Sequence, residues 1–131
     1  MNKYKLEVNR FFDAAHDLPD SENLVTKQCA NLHGHTYLAK VFIESERLED
    51  GMVVDFKKVK QVIDKLDHQY IGYKENLFGF SETFPPTAEN IAQWISAMIK
   101  DKLGFIAEVW ICEGYKGQET LSWAKYTPEI E

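Results

Sequence analysis

At 131 residues, with 44% hydrophobic, 13% aromatic and 27% charged side chains, the chain has the length and make-up of one globular domain over residues 1–131, which argues against disorder and against a second folding unit. A net charge of -6 opposes any general affinity for nucleic acid, whose phosphates ask for clustered Lys and Arg. No apolar run approaches the roughly 20 residues of a membrane span, and MNKYKLEVNRFFDAAH carries no secretory signal pattern, so no membrane partner and a cytoplasmic location are expected.

In chain order, YKLEVNRFF alternates loosely and is rich in β-formers, predicting a strand that runs into the segment carrying His16. The polar stretch DLPDSENLVTKQCAN reads as a long loop, and HGHTYLAKVFIES as a second alternating strand. Strand side chains repeat every two residues, so His33, His35, Tyr37, Ala39, Val41 and Ile43 share one face. After a turn at Glu49, Asp50 and Gly51, Phe56, Val59, Val62, Ile63 and Leu66 fall at helical spacing within residues 55–70, with Asp55 suited to the first turn or the cap. A loop rich in Gly and aromatics leads to Pro85, Pro86 and Thr87, which introduce a helix over residues 87–103 that Gly104 closes. Residues 105–114 and 119–126 then read as a hairpin joined through GYKGQ, for an order of strand, strand, helix, helix, strand, strand.

Zinc that does chemistry takes three protein ligands and leaves the fourth position open. His33 and His35 offer two imidazoles from one strand face, Gly34 between them adds no side chain, and His16 can come from the neighbouring strand. A lone HxH reads equally well as two polar residues on a wet strand face, but the chain's four histidines all sit beside other groups capable of chemistry. Cys29 lies in a polar loop four residues before His33. Near a dication its thiol loses a proton readily, as a base or nucleophile must; the other reading makes it a fourth ligand that closes the site. Cys112 alternates with Trp110 inside a strand and reads as a packing residue, and both cysteines are expected as reduced thiols. Asp67 directly before His68 can orient that imidazole, or His68 can simply stabilise a helix end. Glu113 follows the apolar alternation of Val109 and Ile111, as a buried carboxylate or as an exposed strand end.

The ordered set FDAAHDLP, CANLHGHTY, VVDF, LDHQY, PTAEN, VWICE and WAKY resembles the 6-pyruvoyl-tetrahydropterin synthase and 6-carboxytetrahydropterin synthase family over nearly the whole chain, and the bacterial carboxy branch in particular, where the cysteine precedes HGH by four residues. The resemblance implies an α+β T-fold, a four-stranded antiparallel sheet in ββααββ order with two helices on one face. It also implies barrels closed by homo-oligomerisation, usually a hexamer formed as a dimer of trimers with sites between subunits. It implies Zn²⁺ on His16, His33 and His35, Cys29 as base, Asp67 and His68 as a proton relay, and Glu113 as anchor of the pterin's amino-pyrimidine edge. Thr87 matches a position near the pterin, although helix capping explains it equally well. The implied reaction converts 7,8-dihydroneopterin triphosphate to 6-carboxy-5,6,7,8-tetrahydropterin with loss of triphosphate and acetaldehyde, a step toward queuosine. The alternatives are the pyruvoyl reaction or another pterin side-chain cleavage, and, outside enzymes, a structural zinc-binding module.

Two departures from the family pattern stand out. Ile71 and Gly72 follow LDHQY where the family soon reaches Leu-Asn. Glu119 with Thr120, near WAKY, rivals Glu113 as the anchor; Glu113 is preferred because the apolar alternation precedes it.

Overall fold

The computed structural model describes residues 2–24, 30–114 and 121–129. Strands β1 (Tyr4–His16) and β2 (His33–Ser45) are followed by helix α1 (Phe56–Asp64), the short strand β3 (Gln69–Tyr70), helix α2 (Ala88–Leu103) and strands β4 (Ala107–Cys112) and β5 (Trp123–Tyr126). The sheet runs β3-β1-β2-β4-β5. The β1–β2, β2–β4 and β4–β5 pairings are antiparallel, whereas β3 lies parallel to β1.

Alternation decides which sheet face is dry. Val8, Phe12 and Ala14 of β1 face Val41, Tyr37 and His35 of β2, and Val41 in turn faces Val109 of β4. Onto this face α1 brings Val59, Val62 and Ile63, and α2 brings Ile91, Ala92, Ile95 and Ile99, all in one buried cluster with the strand residues. Each Ile or Phe so buried stabilises the fold by roughly 1.5–3 kcal/mol. On the opposite face Phe42, Trp110 and Trp123 form an aromatic row, with Lys125 3.7 Å over Trp110.

The helix ends follow their capping chemistry. The Asp55 side chain accepts from the Lys57 N–H at the start of α1, and Gly104 ends α2 in the left-handed conformation, with φ 78°. No helix among the described residues is long and apolar enough to cross a membrane.

The sheet corrects the four-stranded antiparallel expectation to a five-stranded mixed one. The helix expected over residues 55–70 stops at Asp64, because the chain then turns back along β1. His68 takes a left-handed φ of 59°, its N–H donates to the Asp13 carbonyl at 2.6 Å, and the Ile71 N–H donates to the Ala15 carbonyl at 2.9 Å. Backbone bonds to β1 thus override a helical pattern that Leu66 still satisfies by entering the core.

The unexpected Ile71-Gly72 pair also has a structural reason. Ile71 is fully buried. A Cβ on Gly72 would stand 1.8 Å from Cζ of Tyr70, so glycine is what lets that ring fold back. The Tyr70 hydroxyl thereby donates to Asp17 at 2.7 Å and ties this turn to the residue after His16.

Candidate metal centre

β1 and β2 bring three of the four histidines together by register alone. His16 pairs directly with His33 and Ala14 with His35, and alternation turns all three imidazoles to the helix-covered side. Their ring centroids lie 4.5, 4.8 and 5.0 Å apart, near-perpendicular to one another. Each ring offers a nitrogen within 4.8 Å of the other two. Such a cluster is the donor set of a three-imidazole metal site.

The tautomers follow from the carbonyl groups around the rings. Nδ1 of His16 donates to the Pro86 carbonyl at 2.8 Å, and Nδ1 of His33 to the Asn31 carbonyl at 2.6 Å. Each Nε2 then carries a lone pair in the neutral ring. The two Nε2 atoms stand 2.9 Å apart. Two acceptors at that distance repel unless a cation lies between or beside them, so the residues present fit a metal ion. Protonating His16 instead is disfavoured, since burial above all pushes its pKa down to about 4, against a smaller opposing contribution from the Pro86 hydrogen bond. The buried Tyr37 hydroxyl sits 3.2 Å from Nδ1 of His16 and backs the same ring.

Glu113 flanks this centre. Its Oε1 lies 3.2 Å from Nε2 of His35, with the two side chains 37% and 21% exposed. Desolvation raises the carboxyl's pKa, with His33 opposing and Glu89 adding to the rise.

Asp67 and His68 belong to a second cluster. Asp67 accepts from the Asp13 N–H through Oδ1 at 2.9 Å, and its Oδ2 takes the His68 Nδ1–H at 2.9 Å. The first of these bonds is the main reason its carboxyl is held below the ordinary range. Thr36 donates to Asp13 at 2.5 Å. Asp13 and Thr36 alternate away from His16 and His35, so their side chains lie on the opposite face of β1 and β2. His68 is 79% exposed and borders an open depression of about 500 Å³ with Gly34, Thr36 and Tyr70. Within one chain, therefore, Asp67 and His68 do not join the imidazole cluster.

Cys29 and the rival anchor Glu119 lie outside the described residues. Thr87 is the N-cap of α2, its side chain accepting from the Asn90 N–H at 3.2 Å. Two further residues shape the site: Pro86, whose carbonyl orients His16, and Tyr37, which backs the same ring. The second was signalled by HGHTY, which puts Tyr37 on the face of His35.

The mixed sheet, its helix layer and the imidazole cluster at one end of β1 and β2 define an α+β protein with a candidate three-histidine metal centre. Residues 5–128 match the family described as 6-pyruvoyl tetrahydropterin synthase, and the chain belongs to that family. It is 37% identical to a 6-carboxy-5,6,7,8-tetrahydropterin synthase of Synechocystis over 100 residues, 69% of this chain and 70% of the relative. It is 40% identical to a dihydroneopterin monophosphate aldolase of Pyrococcus furiosus over 105 residues, 77% of this chain and 79% of the relative. Its fold superimposes on the 6-pyruvoyl tetrahydropterin synthase of Caenorhabditis elegans with a TM-score of 0.68 and 28% identity, over 98% of each chain.

Proposed function

We propose that the protein is a zinc-dependent lyase that converts 7,8-dihydroneopterin triphosphate and one water to 6-carboxy-5,6,7,8-tetrahydropterin, releasing acetaldehyde and triphosphate. The observation that carries this reading is the convergence of the His16 and His33 Nε2 lone pairs beside His35, in a chain whose relatives include a carboxytetrahydropterin synthase. Imidazole ligation and a donor set of three suit catalytic zinc. Bound there, Zn²⁺ would supply Lewis acidity toward the oxygens of the substrate side chain.

The chain's own residues carry the rest of the proposal. His16, His33 and His35 hold the metal, with Pro86 and Asn31 fixing two of the rings. Glu113 accepts paired hydrogen bonds from the amino-pyrimidine edge of the pterin, where a carboxylate matches a guanidine-like donor pair. Cys29 acts as base. Asp67 holds Nδ1 of His68, which leaves Nε2 of the neutral ring able to take a proton. Thr87 enters as a pterin-side residue only beyond its capping role.

Since the imidazole cluster and the Asp67–His68 pair are separate in one chain, the complete site is proposed to form between subunits of a cytoplasmic homo-oligomer, taken as a dimer of trimers. Among the described residues the sheet ends in β3 and β5, whose outer edges an assembly would cover.

A second reading is an aldol-type cleavage of the pterin side chain, favoured by the Pyrococcus furiosus relative. Mass spectrometry separates the two when zinc-loaded protein is incubated with dihydroneopterin triphosphate and, in parallel, with the monophosphate. A carboxytetrahydropterin from the triphosphate is the expected result. A shortened pterin from the monophosphate would move the assignment to the second reading, and no turnover of either would remove both.

A further inference from the structure

Beyond Asp64 the chain leaves the helix, with the Asp67 N–H donating to the Asp64 carbonyl at 3.1 Å and His68 reached in the left-handed region, at φ 59°. Residues other than glycine adopt that region rarely, so the turn that presents His68 depends on restraints from its neighbours. β1 supplies them at two points. Asp13 holds the far end: its N–H donates to Oδ1 of Asp67 at 2.9 Å, and its carbonyl accepts the His68 N–H at 2.6 Å. Arg10, three residues earlier on the strand and so roughly 10 Å away, holds the near end. Its Nε donates to Oδ1 of Asp64 at 2.8 Å and its Nη2 to Oδ2 at 2.9 Å. Such a two-bonded fork fixes direction as well as distance, which a single ion pair does not.

The guanidinium also acts on Asp67 through space. After the Asp13 N–H and His68, the charge of Arg10 contributes to holding the Asp67 carboxyl below the ordinary carboxylate range. In return Asp64 first, and Asp67 behind it, favour the charged guanidinium.

We propose that Arg10 is a positioning residue for the Asp67–His68 pair: its fork on Asp64, together with Asp13, clamps the turn over residues 64–68 to β1 at both ends. Asp67 then stays on Nδ1 of His68 and leaves Nε2 free to take a proton. The inference rests on the reading of Asp67 and His68 as a proton relay, and Arg10 acts through Asp64 rather than on the substrate. A salt bridge that only stabilised the fold would change Tm and leave the His68 ring as it is. A positioning fork sets which nitrogen of that ring carries the hydrogen.

The test reads the His68 tautomer by nitrogen NMR of the neutral imidazole, with its signals assigned through His68→Gln. It compares zinc-loaded wild type, Arg10→Gln, Asp64→Ala, the double variant and Asp55→Ala. The last removes the cap at the other end of α1 and so controls for lost stability alone. The wild-type ring should be mainly in the Nδ1–H form. In Arg10→Gln the ratio of Nδ1–H to Nε2–H should fall on the order of threefold, the equilibrium equivalent of a partly exposed ion pair. Asp64→Ala should do the same and the double variant add nothing further, because each change breaks the one fork. Asp55→Ala should keep the wild-type ratio. Turnover of the triphosphate should fall with the Nδ1–H population at unchanged zinc content. A wild-type ratio in Arg10→Gln, additive losses in the double variant, or an equal fall in Asp55→Ala would overturn the proposal. If the ratio moves as expected while kcat does not, the relay reading of His68 fails and the positioning role of Arg10 stands.

Discussion

Nε2 of His16 faces Nε2 of His33 across 2.9 Å while Nδ1 of each ring donates to a backbone carbonyl, Pro86 in one case and Asn31 in the other. The carbonyl groups fix the tautomers, the tautomers aim two lone pairs at one point, and strand register brings His35 alongside. The orientation of two of the imidazoles is therefore set by carbonyl groups that the chain brings to this end of the sheet just before β2 and just before α2.

Removing the metal should soften the protein. Binding to the folded state alone adds about 2.7 kcal/mol when free metal exceeds Kd a hundredfold. Thermal unfolding with Zn²⁺ and with excess chelator should show a clear rise in Tm with zinc for wild type, and none for His33→Ala. Equal shifts in both proteins would place the stabilising ion elsewhere.

Chelated protein should lose stability in acid through His16. The folded pKa of about 4 lies below the 6.5 of an ordinary imidazole. Between those values the unfolded chain takes up a proton that the folded chain refuses, so stability falls as pH drops through that window and the effect levels off below it. The loss is at most about 3 kcal/mol. Urea unfolding at pH 7, 5.5 and 4.5 checks it, and His16→Gln should show a correspondingly flatter dependence. A wild-type profile parallel to that of His16→Gln would remove the claim.

Asp67→Asn should keep zinc and lose turnover. The amide takes over at best one of the two hydrogen bonds that hold Asp13 and His68. Positioned proton transfer contributes typically 10²–10⁴-fold, so kcat is expected to drop on the order of 100-fold at unchanged metal content. A drop that tracks lost zinc would instead tie Asp67 to the metal cluster.

Thr87→Ala separates capping from substrate contact. Loss of the bond to the Asn90 N–H costs about 1 kcal/mol of stability. If capping is its whole role, KM for the triphosphate stays within about twofold of wild type, whereas a direct contact with substrate raises KM by more, since a lost hydrogen bond is worth about 0.5–1.5 kcal/mol.

Much of this architecture is legible in residues whose signal is local. His33, Gly34 and His35 show a shared face through alternation, and Val59, Val62 and Ile63 show a helix through spacing. The pairing of His16 with His33 depends on register between strands separated by the long loop, which no local pattern states. The two-residue strand β3 has no periodicity to read, because backbone bonds from His68 and Ile71 to β1 create it. The Pro86 carbonyl is invisible for a related reason: any residue supplies a carbonyl, and only the path of the chain into α2 brings this one to His16. The separation of Asp67 and His68 from the imidazoles likewise follows from sheet faces, and the adjacency of LDH to other motifs in the sequence gives no hint of it.

The most direct test of the central claim is X-ray absorption at the zinc edge, with metal stoichiometry, on wild-type protein and the single variants His16→Ala, His33→Ala and His35→Ala. A three-imidazole site requires one zinc per chain with three imidazole nitrogens at about 2.0–2.1 Å, and loss of tight zinc from each variant. Full zinc occupancy with an unchanged spectrum in all three variants would contradict it.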